Sequence, residues 1–198
     1  VKTHSLHAEL KKRVKEYLDQ HDIRSTGNYK LFSKAILLMS LFVITYVHLV
    51  FFTPPILWAV LESLFFGGLI AAIGFNVMHD GSHGSFSKYA WLNKLASSSI
   101  SVLGASRFMW GMKHVTIHHT YTNILGQDED IRKTIIRFTP KHPYKAMHRF
   151  QWLYTSLLYM IFPFVWILSK DFEQYSRYSK QGLYQRMGRS NRQALTEI

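Results

Sequence analysis

The chain has 198 residues, the size of a single domain, and its formal net charge of +12 favours an anionic partner such as nucleic acid or an anionic membrane face. It contains no cysteine, which excludes disulfides, thiolate zinc sites, iron–sulfur ligands and c-type haem attachment, so any metal must be bound by histidine, carboxylate or water. Mean hydropathy is near zero, but the apolar residues are concentrated in long blocks, and these blocks favour a membrane protein over a nucleic-acid-binding one.

Residues 1–30 are predicted to form an amphipathic, cytoplasmic N-terminal segment that precedes the domain of residues 31–198. Basic residues occupy one face, and apolar side chains recur at helical spacing on the other, at Leu6, Leu10, Val14, Tyr17 and Leu18. Such a helix lies on a membrane surface or packs on another part of the protein. Thr26-Gly27-Asn28 is expected to end it. The charged lead is too long for a signal peptide.

Two membrane spans are predicted next, over residues 31–52 and 56–75, each about the length needed to cross ~30 Å of hydrocarbon. The short break at Thr53-Pro54-Pro55 makes them an antiparallel hairpin. His48 and Glu62 would both lie at membrane depth, where polar residues are costly and face the protein interior. They are predicted to act as ligand or proton relay, or simply to bond the two helices to each other.

Two histidine clusters follow the hairpin, at His79-Asp80-Gly81-Ser82-His83 and at His114-Val115-Thr116-Ile117-His118-His119. Positions i and i+4 of a helix share a face, so each cluster is predicted to present a stacked pair of imidazoles. Neutral imidazole is the commonest protein ligand for transition metals, and His119 adds a fifth nitrogen. This pattern predicts more than one metal ion.

The segment between the clusters, residues 91–110, is apolar but contains Asn93, Lys94, Arg107 and several serines. If it crossed the membrane, the clusters would lie on opposite faces and could not share a metal. We therefore predict an interfacial or re-entrant helix.

The distribution of Lys and Arg predicts the membrane topology of residues 1–149. Residues 1–34 hold eight Lys and Arg and residues 76–149 hold ten, whereas the Pro-Pro turn holds none. The positive-inside rule therefore puts the N-terminus and both clusters in the cytoplasm.

Downstream, the acidic patch Gln127-Asp128-Glu129-Asp130 is predicted either to orient ligand imidazoles or to be a solvated turn. Residues 150–168 are predicted to form a third span or half of a hairpin. If this span crosses outward, six Lys and Arg of the tail 169–198 lie on the wrong side for the charge rule, and the topology of the tail stays open.

H-D-x-x-H followed by H-x-x-x-H-H resembles the first two histidine boxes of the integral-membrane fatty acid desaturase superfamily. The flanks Asn76-Val77-Met78 and Thr120-Tyr121-Thr122-Asn123 are most similar to bacterial acyl-CoA or acyl-lipid desaturases of the linoleoyl type. The third box of that family, usually Q-x-x-H-H, has no match, since His142 and His148 are the only later histidines. Val1 is not an initiator methionine, so we expect an excerpt of a longer protein whose third box lies beyond Ile198.

The resemblance implies an all-α membrane protein with a transmembrane hairpin, interfacial helices and a cytoplasmic histidine-box cap, in the bacterial inner membrane. Residues 31–198 would be an incomplete desaturase domain. The implied cofactor is a non-haem di-iron centre that uses O2, with no catalytic side chain beyond its ligands, which would include His79, His83, His114, His118 and His119. The implied substrate is a fatty acyl chain on coenzyme A or a membrane lipid. The implied electron donor is a ferredoxin or a b-type cytochrome, and no nucleic acid is expected.

Three other interpretations stay open. A hydroxylase or alkane monooxygenase of the same superfamily shares the boxes, although the flanking residues favour a desaturase. A membrane zinc hydrolase would use His79-Asp80-Gly81-Ser82-His83 like H-E-x-x-H, but Asp80 is one methylene short and the second cluster would have no role. Finally, the isolated chain is expected to be an inactive fragment that binds less than a full complement of iron.

Overall fold

The computed structural model describes residues 5–52, 54–132 and 135–197, and in these ranges the chain forms helices, turns and loops but no strand. It divides into two compact units, Val1–Ser97 and Ser98–Ile198. Each unit is described by itself below.

The first helix of unit one, α1 (Leu6–Gln20), has no buried residue. The Ser5 hydroxyl caps its start by accepting from the Ala8 amide. The predicted end at Thr26-Gly27-Asn28 is wrong, because α1 ends at Gln20. Asp22 adopts a left-handed conformation there, with φ of 49°, and the Ile23 amide donates back to the Leu18 carbonyl, a hydrogen-bond pattern that closes helices.

The next two helices, α2 (Tyr29–Phe52) and α3 (Ile56–Ser82), form the predicted hairpin. Phe42 stacks on Phe66 across it at 4.7 Å between ring centroids. Both helices change from α to π geometry near their C-terminal ends, at His48–Phe52 and Gly74–Met78. Thr53 of the predicted break lies outside the described residues. Helix α3 is longer than the predicted span and ends in the first histidine cluster.

Residues 91–110 do not form a single helix, which corrects the sequence prediction. Helix α4 (Ala90–Val102) has 13 residues, a length of ~20 Å that is short of the ~30 Å hydrocarbon layer. It stops before Gly104, whose φ is +88° and whose missing Cβ leaves room for Ile167. A larger residue would be strained at this φ, so the turn separates α4 from the helix that follows.

Unit two contains that helix, α5 (residues 107–121), and the long α6 (Ala146–Lys180). The predicted third span at 150–168 is too short, because the helix continues for 35 residues in all. Pro163 removes one backbone donor within it, and a π-helical stretch follows at Trp166–Lys170. Two short helices, α7 (Leu183–Arg186) and α8 (Asn191–Leu195), complete the described chain.

The core of unit two joins the tail to α5. Its buried members come from both segments and are Met109, Met112, Tyr178, Tyr184 and Ala194. At the start of α5, the Ser106 amide donates to Asp171 Oδ2 at 2.7 Å, and the Ser106 hydroxyl donates to the Glu197 carbonyl at 2.7 Å. The tail therefore supports the helix that carries the second histidine cluster.

Three of the described helices, α2, α3 and α6, are long and apolar enough to cross a membrane. Almost none of their apolar surface is buried against the rest of the chain. This composition confirms the predicted all-α membrane protein.

Candidate metal centre

The first histidine cluster lies where α3 ends. The π-helical turn Gly74–Met78 runs directly into the α-helical turn His79–Ser82, and the His83 amide donates to the His79 carbonyl at 3.1 Å. The two imidazoles consequently lie one turn apart, with ring centroids 4.6 Å from each other and planes inclined at 60°. The predicted pairing of His79 with His83 is present, although the rings meet edge to face.

Close packing against α4 fixes this turn. A Cβ on Gly81 would lie 2.5 Å from the Ser97 amide nitrogen and 2.7 Å from the Ala96 Cβ, so only glycine fits. Asn93 closes the loop that follows, because its side chain accepts from the Ser87 amide at 2.8 Å and donates to the Ser87 carbonyl at 2.7 Å. The first cluster therefore has a rigid support within unit one.

The second cluster lies in a π-helical segment, Gly111–His118, rather than in the α-helix that its spacing predicts. His114 and His118 still stack, at 5.4 Å and 12°. The wider π turn also brings position i+5 above position i, so that His119 Nε2 lies 3.3 Å from His114 Nε2. Hydrogen bonds that span five residues instead of four thus gather three imidazoles where an α-helix would align two.

Asp128 fixes the orientation of the His118 ring through a hydrogen bond to its Nδ1 atom. This carboxylate is fully buried, and its Oδ1 lies 3.0 Å from His118 Nδ1. An ionised carboxylate only accepts, so the proton lies on Nδ1 and leaves Nε2 as the metal-binding atom. Burial alone would raise the pKa of Asp128, but hydrogen bonds from His118 and from the Asn123 and Asp130 amides lower it below the ordinary range.

The acidic patch thus orients a histidine instead of forming a solvated turn. Its last member, Asp130, also reaches His118 Nδ1, at 3.2 Å, and forms an ion pair with Lys113. His114, His118 and Asp130 each offer one atom within 4.8 Å of the others, which is close enough for a shared ion. From the sequence, Asp130 was predicted to orient a ligand imidazole, and it was not predicted to be a metal ligand itself.

Trp110 is a functional neighbour that the sequence analysis missed. Its indole stacks on the His114 ring at 4.4 Å and 22°, and it also stacks with the Trp166 indole at 5.9 Å and 22°. The spacing of Trp110, His114 and His118 at i, i+4 and i+8 was a visible signal for a shared helix face. The contact with Trp166 of α6 had no signal in the sequence.

The two remaining downstream histidines lie apart from this cluster in sequence, His142 in the loop before α6 and His148 in the first turn of α6, and both are buried. His142 is 2% exposed and His148 5%, and His148 Nδ1 accepts from the Lys145 amide at 3.0 Å. Neither belongs to a group of three or more metal-binding side chains among the described residues.

The donors of the second cluster fit a transition metal. They are imidazole nitrogens with a carboxylate, a set that suits zinc, iron, copper or nickel. Two nitrogens at ~2.1 Å from one ion and 3.3 Å from each other subtend about 100°, as neighbouring ligands of one ion do. The pairing of His118 with Asp128 is the outer support usual for a metal-bound imidazole.

In comparison with known proteins, a family model described as "Fatty acid desaturase" matches residues 53–197. The sn-1 linoleoyl-lipid 6-desaturase of Arthrospira platensis is 34% identical, over 81% of this chain and 44% of its own length. The enzyme of the same name from Synechocystis sp. is 32% identical, over 80% of this chain and 45% of its own. The acyl-lipid (8-3)-desaturase of Physcomitrium patens is 28% identical, over 84% and 35%.

The chain thus spans less than half the length of these relatives. The comparison with solved structures gave no significant match.

Proposed function

This chain belongs to the fatty acid desaturase family, and from that premise we propose that the protein carrying it introduces a double bond into a fatty acyl chain. The observation that carries the proposal is the second cluster, where His114, His118 and His119 converge and Asp128 fixes the proton of His118. A histidine-rich site of this kind, on a chain with three apolar helices, suits chemistry on a membrane lipid.

We propose a non-haem di-iron centre with His79, His83, His114, His118 and His119 among its ligands and further ligands outside these 198 residues. Iron with O2 supplies the oxidising power needed to remove two hydrogens from an unactivated methylene pair, which no side chain provides. Imidazole ligation suits such iron.

In the proposed site, residues of this chain bind the metal and orient its histidine ligands. Asp128 keeps the Nδ1 proton of His118 in place and thereby directs Nε2 away from itself. The stacked indole of Trp110 restrains the ring plane of His114. Gly81 lets the turn of the first cluster pack directly on α4. These supports keep the ligands near one geometry and reduce the reorganisation needed when a metal binds.

The proposed substrate is a fatty acyl group of a membrane lipid, because the two most similar relatives named above are linoleoyl-lipid desaturases. The proposed electron donor is a ferredoxin or a b-type cytochrome, which the excess of Lys and Arg would attract if it is acidic. The proposed location is the bacterial inner membrane, and the distribution of the same charges supports an orientation with both clusters on the cytoplasmic side.

Product mass tests this function. The full-length protein is incubated in membranes with an acyl lipid, O2 and a reduced donor, and the released fatty acids are analysed by mass spectrometry. Desaturation lowers the mass by two hydrogens, whereas the rival hydroxylation adds one oxygen. A variant with His114→Ala and His118→Ala is the control for background activity. A hydroxylated product, or no product that depends on these histidines, would contradict the proposal.

A further inference from the structure

A π-helical turn interrupts α3 directly before the first histidine cluster, at Gly74–Met78. Such turns are rare and occur mostly at functional sites. A π turn adds one residue to the helical path, so it rotates every side chain that follows it by about 100°. His79 comes immediately after this turn. The contacts that hold the turn in place therefore also determine the direction of His79 and His83.

Asn76 lies in the middle of this turn, and its side chain bonds to the backbone of the same helix. Asn76 Nδ2 donates to the Ala72 carbonyl, four residues earlier, at 2.8 Å. A side-chain donor at this carbonyl competes with the backbone N–H that an α-helix places there, and such contacts bend helices. The Asn76 side chain thus favours the change from α to π geometry at this point of α3.

The other end of the Asn76 side chain is held by Lys34 of α2. Lys34 Nζ donates to Asn76 Oδ1 at 2.6 Å, across the hairpin and 42 residues away in sequence. Lys34 is exposed and lies in the second turn of a helix that is apolar enough to span a membrane. An ammonium group near the end of such a helix usually extends toward water. Here it contacts an amide oxygen, and a hydrogen bond from a charged donor is roughly twice as strong as a neutral one.

Both ends of the Asn76 amide are therefore engaged by the protein. A lysine side chain only donates and a backbone carbonyl only accepts, so the two contacts require the same orientation of the amide. One contact bonds Asn76 to the backbone of α3, and the other bonds it to α2. This arrangement supports the histidines from the turn before them and does not make Asn76 a further metal ligand.

We propose that Lys34 and Asn76 are positioning residues of the first histidine cluster. Their hydrogen bonds hold the π turn of α3 and couple it to α2, and the turn sets the direction in which His79 and His83 leave the helix. That these histidines bind iron rests on the function proposed above. The support of the turn is a property of the metal-free protein, so the two statements can be tested separately.

The test combines hydrogen exchange with metal binding, both on the full-length protein in detergent. Mass spectrometry follows the exchange of the backbone amides of residues 74–83 in the metal-free protein. Competition with a chelator measures the affinity for Co²⁺, whose absorption bands also report its coordination geometry. Lys34→Met and Asn76→Ala each break the link, a double variant combines them, and Lys34→Arg keeps a charged donor. Lys30→Met, at an exposed lysine one turn earlier on α2, is the matched control.

We expect Lys34→Met and Asn76→Ala to speed the exchange of residues 74–83 and to weaken Co²⁺ binding by about tenfold, the lower end for the loss of an outer support of metal ligands. The absorption bands of bound Co²⁺ should shift in both variants, although far-UV circular dichroism shows a folded protein. The double variant should be no worse than Asn76→Ala alone, because both changes break one linked pair. Lys34→Arg should retain most of the affinity, and Lys30→Met should behave like the wild type.

Unchanged exchange and unchanged Co²⁺ affinity in Lys34→Met and Asn76→Ala would overturn the proposal. So would losses that add in the double variant, since the two residues would then act independently, or an equal loss in Lys30→Met. Faster exchange with unchanged Co²⁺ affinity would also overturn the positioning role and leave the pair a structural contact. If exchange is faster in the variants but the wild type binds no metal, the pair holds the turn and the metal centre proposed above is wrong.

Discussion

At the scale of single residues, the second histidine cluster depends on a carboxylate ten positions downstream of His118. Asp128 is buried and accepts from His118 Nδ1 and from two backbone amides. We expect Asp128→Asn to lower metal affinity by about 10–100-fold, because an amide has one acceptor oxygen where three donors converge. Competition with a chelator measures the affinity, and the exposed Asp19→Asn is the control. Unchanged affinity in a folded Asp128→Asn protein would mean that Asp128 does not support a metal ligand.

Gly81 gives a second residue-scale prediction, this time about stability. An added Cβ would meet the backbone of Ser97, which cannot move as a flexible side chain does. We expect Gly81→Ala to cost about 3 kcal/mol, the upper end for overpacked sites, and to lower the thermal midpoint. Gly67→Ala is the matched control, since nothing lies within 4 Å of its added Cβ and alanine favours a helix. Equal thermal midpoints for the two variants would mean that the contact with α4 does not restrict position 81 to glycine.

The side-chain contacts of the candidate metal centre were only partly predictable from the sequence. The pairs His79/His83 and His114/His118 follow from helical spacing, and both pairs are in contact. The approach of His119 to His114 depends on the π turn, which residue spacing does not encode. The position of Lys113 over the Trp166 ring depends on α6 reaching α5, a tertiary contact that no local pattern reveals.

At the scale of elements, the π-helical segment Gly111–His118 determines which imidazoles meet. Deletion of Gly111, the first residue of this segment, should restore α-helical geometry but keep the spacing of the three histidines, so that His119, at i+5, turns about 140° away from His114. We expect helix content by circular dichroism to be retained and metal binding by chelator competition to be weakened. Gly111→Ala keeps the register, has nothing within 4 Å of its added Cβ and should bind metal normally. Normal binding by the deletion variant would contradict a role for the π turn.

The hairpin of α2 and α3 carries its own polar contact, with His48 Nδ1 2.8 Å from Glu62 Oε2. The contact bears out the predicted hydrogen bond between the helices. We expect Glu62→Gln and His48→Gln to leave metal content unchanged and to destabilise the hairpin by about 1 kcal/mol, as interhelical hydrogen bonds in membranes do. Metal analysis of each variant and a thermal midpoint are the measurements. Loss of metal in either variant would mean that His48 and Glu62 take part in the metal site.

The positions of the apolar helices were predicted better than the residues at which the elements end. Long apolar runs show where α2 and α3 lie, because only such runs suit a bilayer. The end of α1, the break at Gly104 and the extension of α6 to Lys180 depend on a left-handed residue, a close contact with Ile167 and packing by the tail. These are features of backbone conformation and packing, and composition carries little information about them.

At the scale of the whole molecule, the chain matches the family over residues 53–197 but spans less than half the length of its relatives. We expect the 198-residue chain alone to bind less iron than the full-length protein and to show no turnover, because two histidine clusters do not supply every ligand of a di-iron site. Iron per chain and product formation, measured side by side on both proteins, test this. Robust desaturation by the shorter chain would contradict it.

Metal analysis with Mössbauer spectroscopy of the full-length protein tests the proposed di-iron site, whose ligands include five histidines. We expect two irons per chain in a magnetically coupled pair, and their loss when His114 and His118 are replaced by alanine. A single zinc, or no bound metal in a folded protein, would contradict a di-iron site and favour a zinc hydrolase or an inert membrane protein.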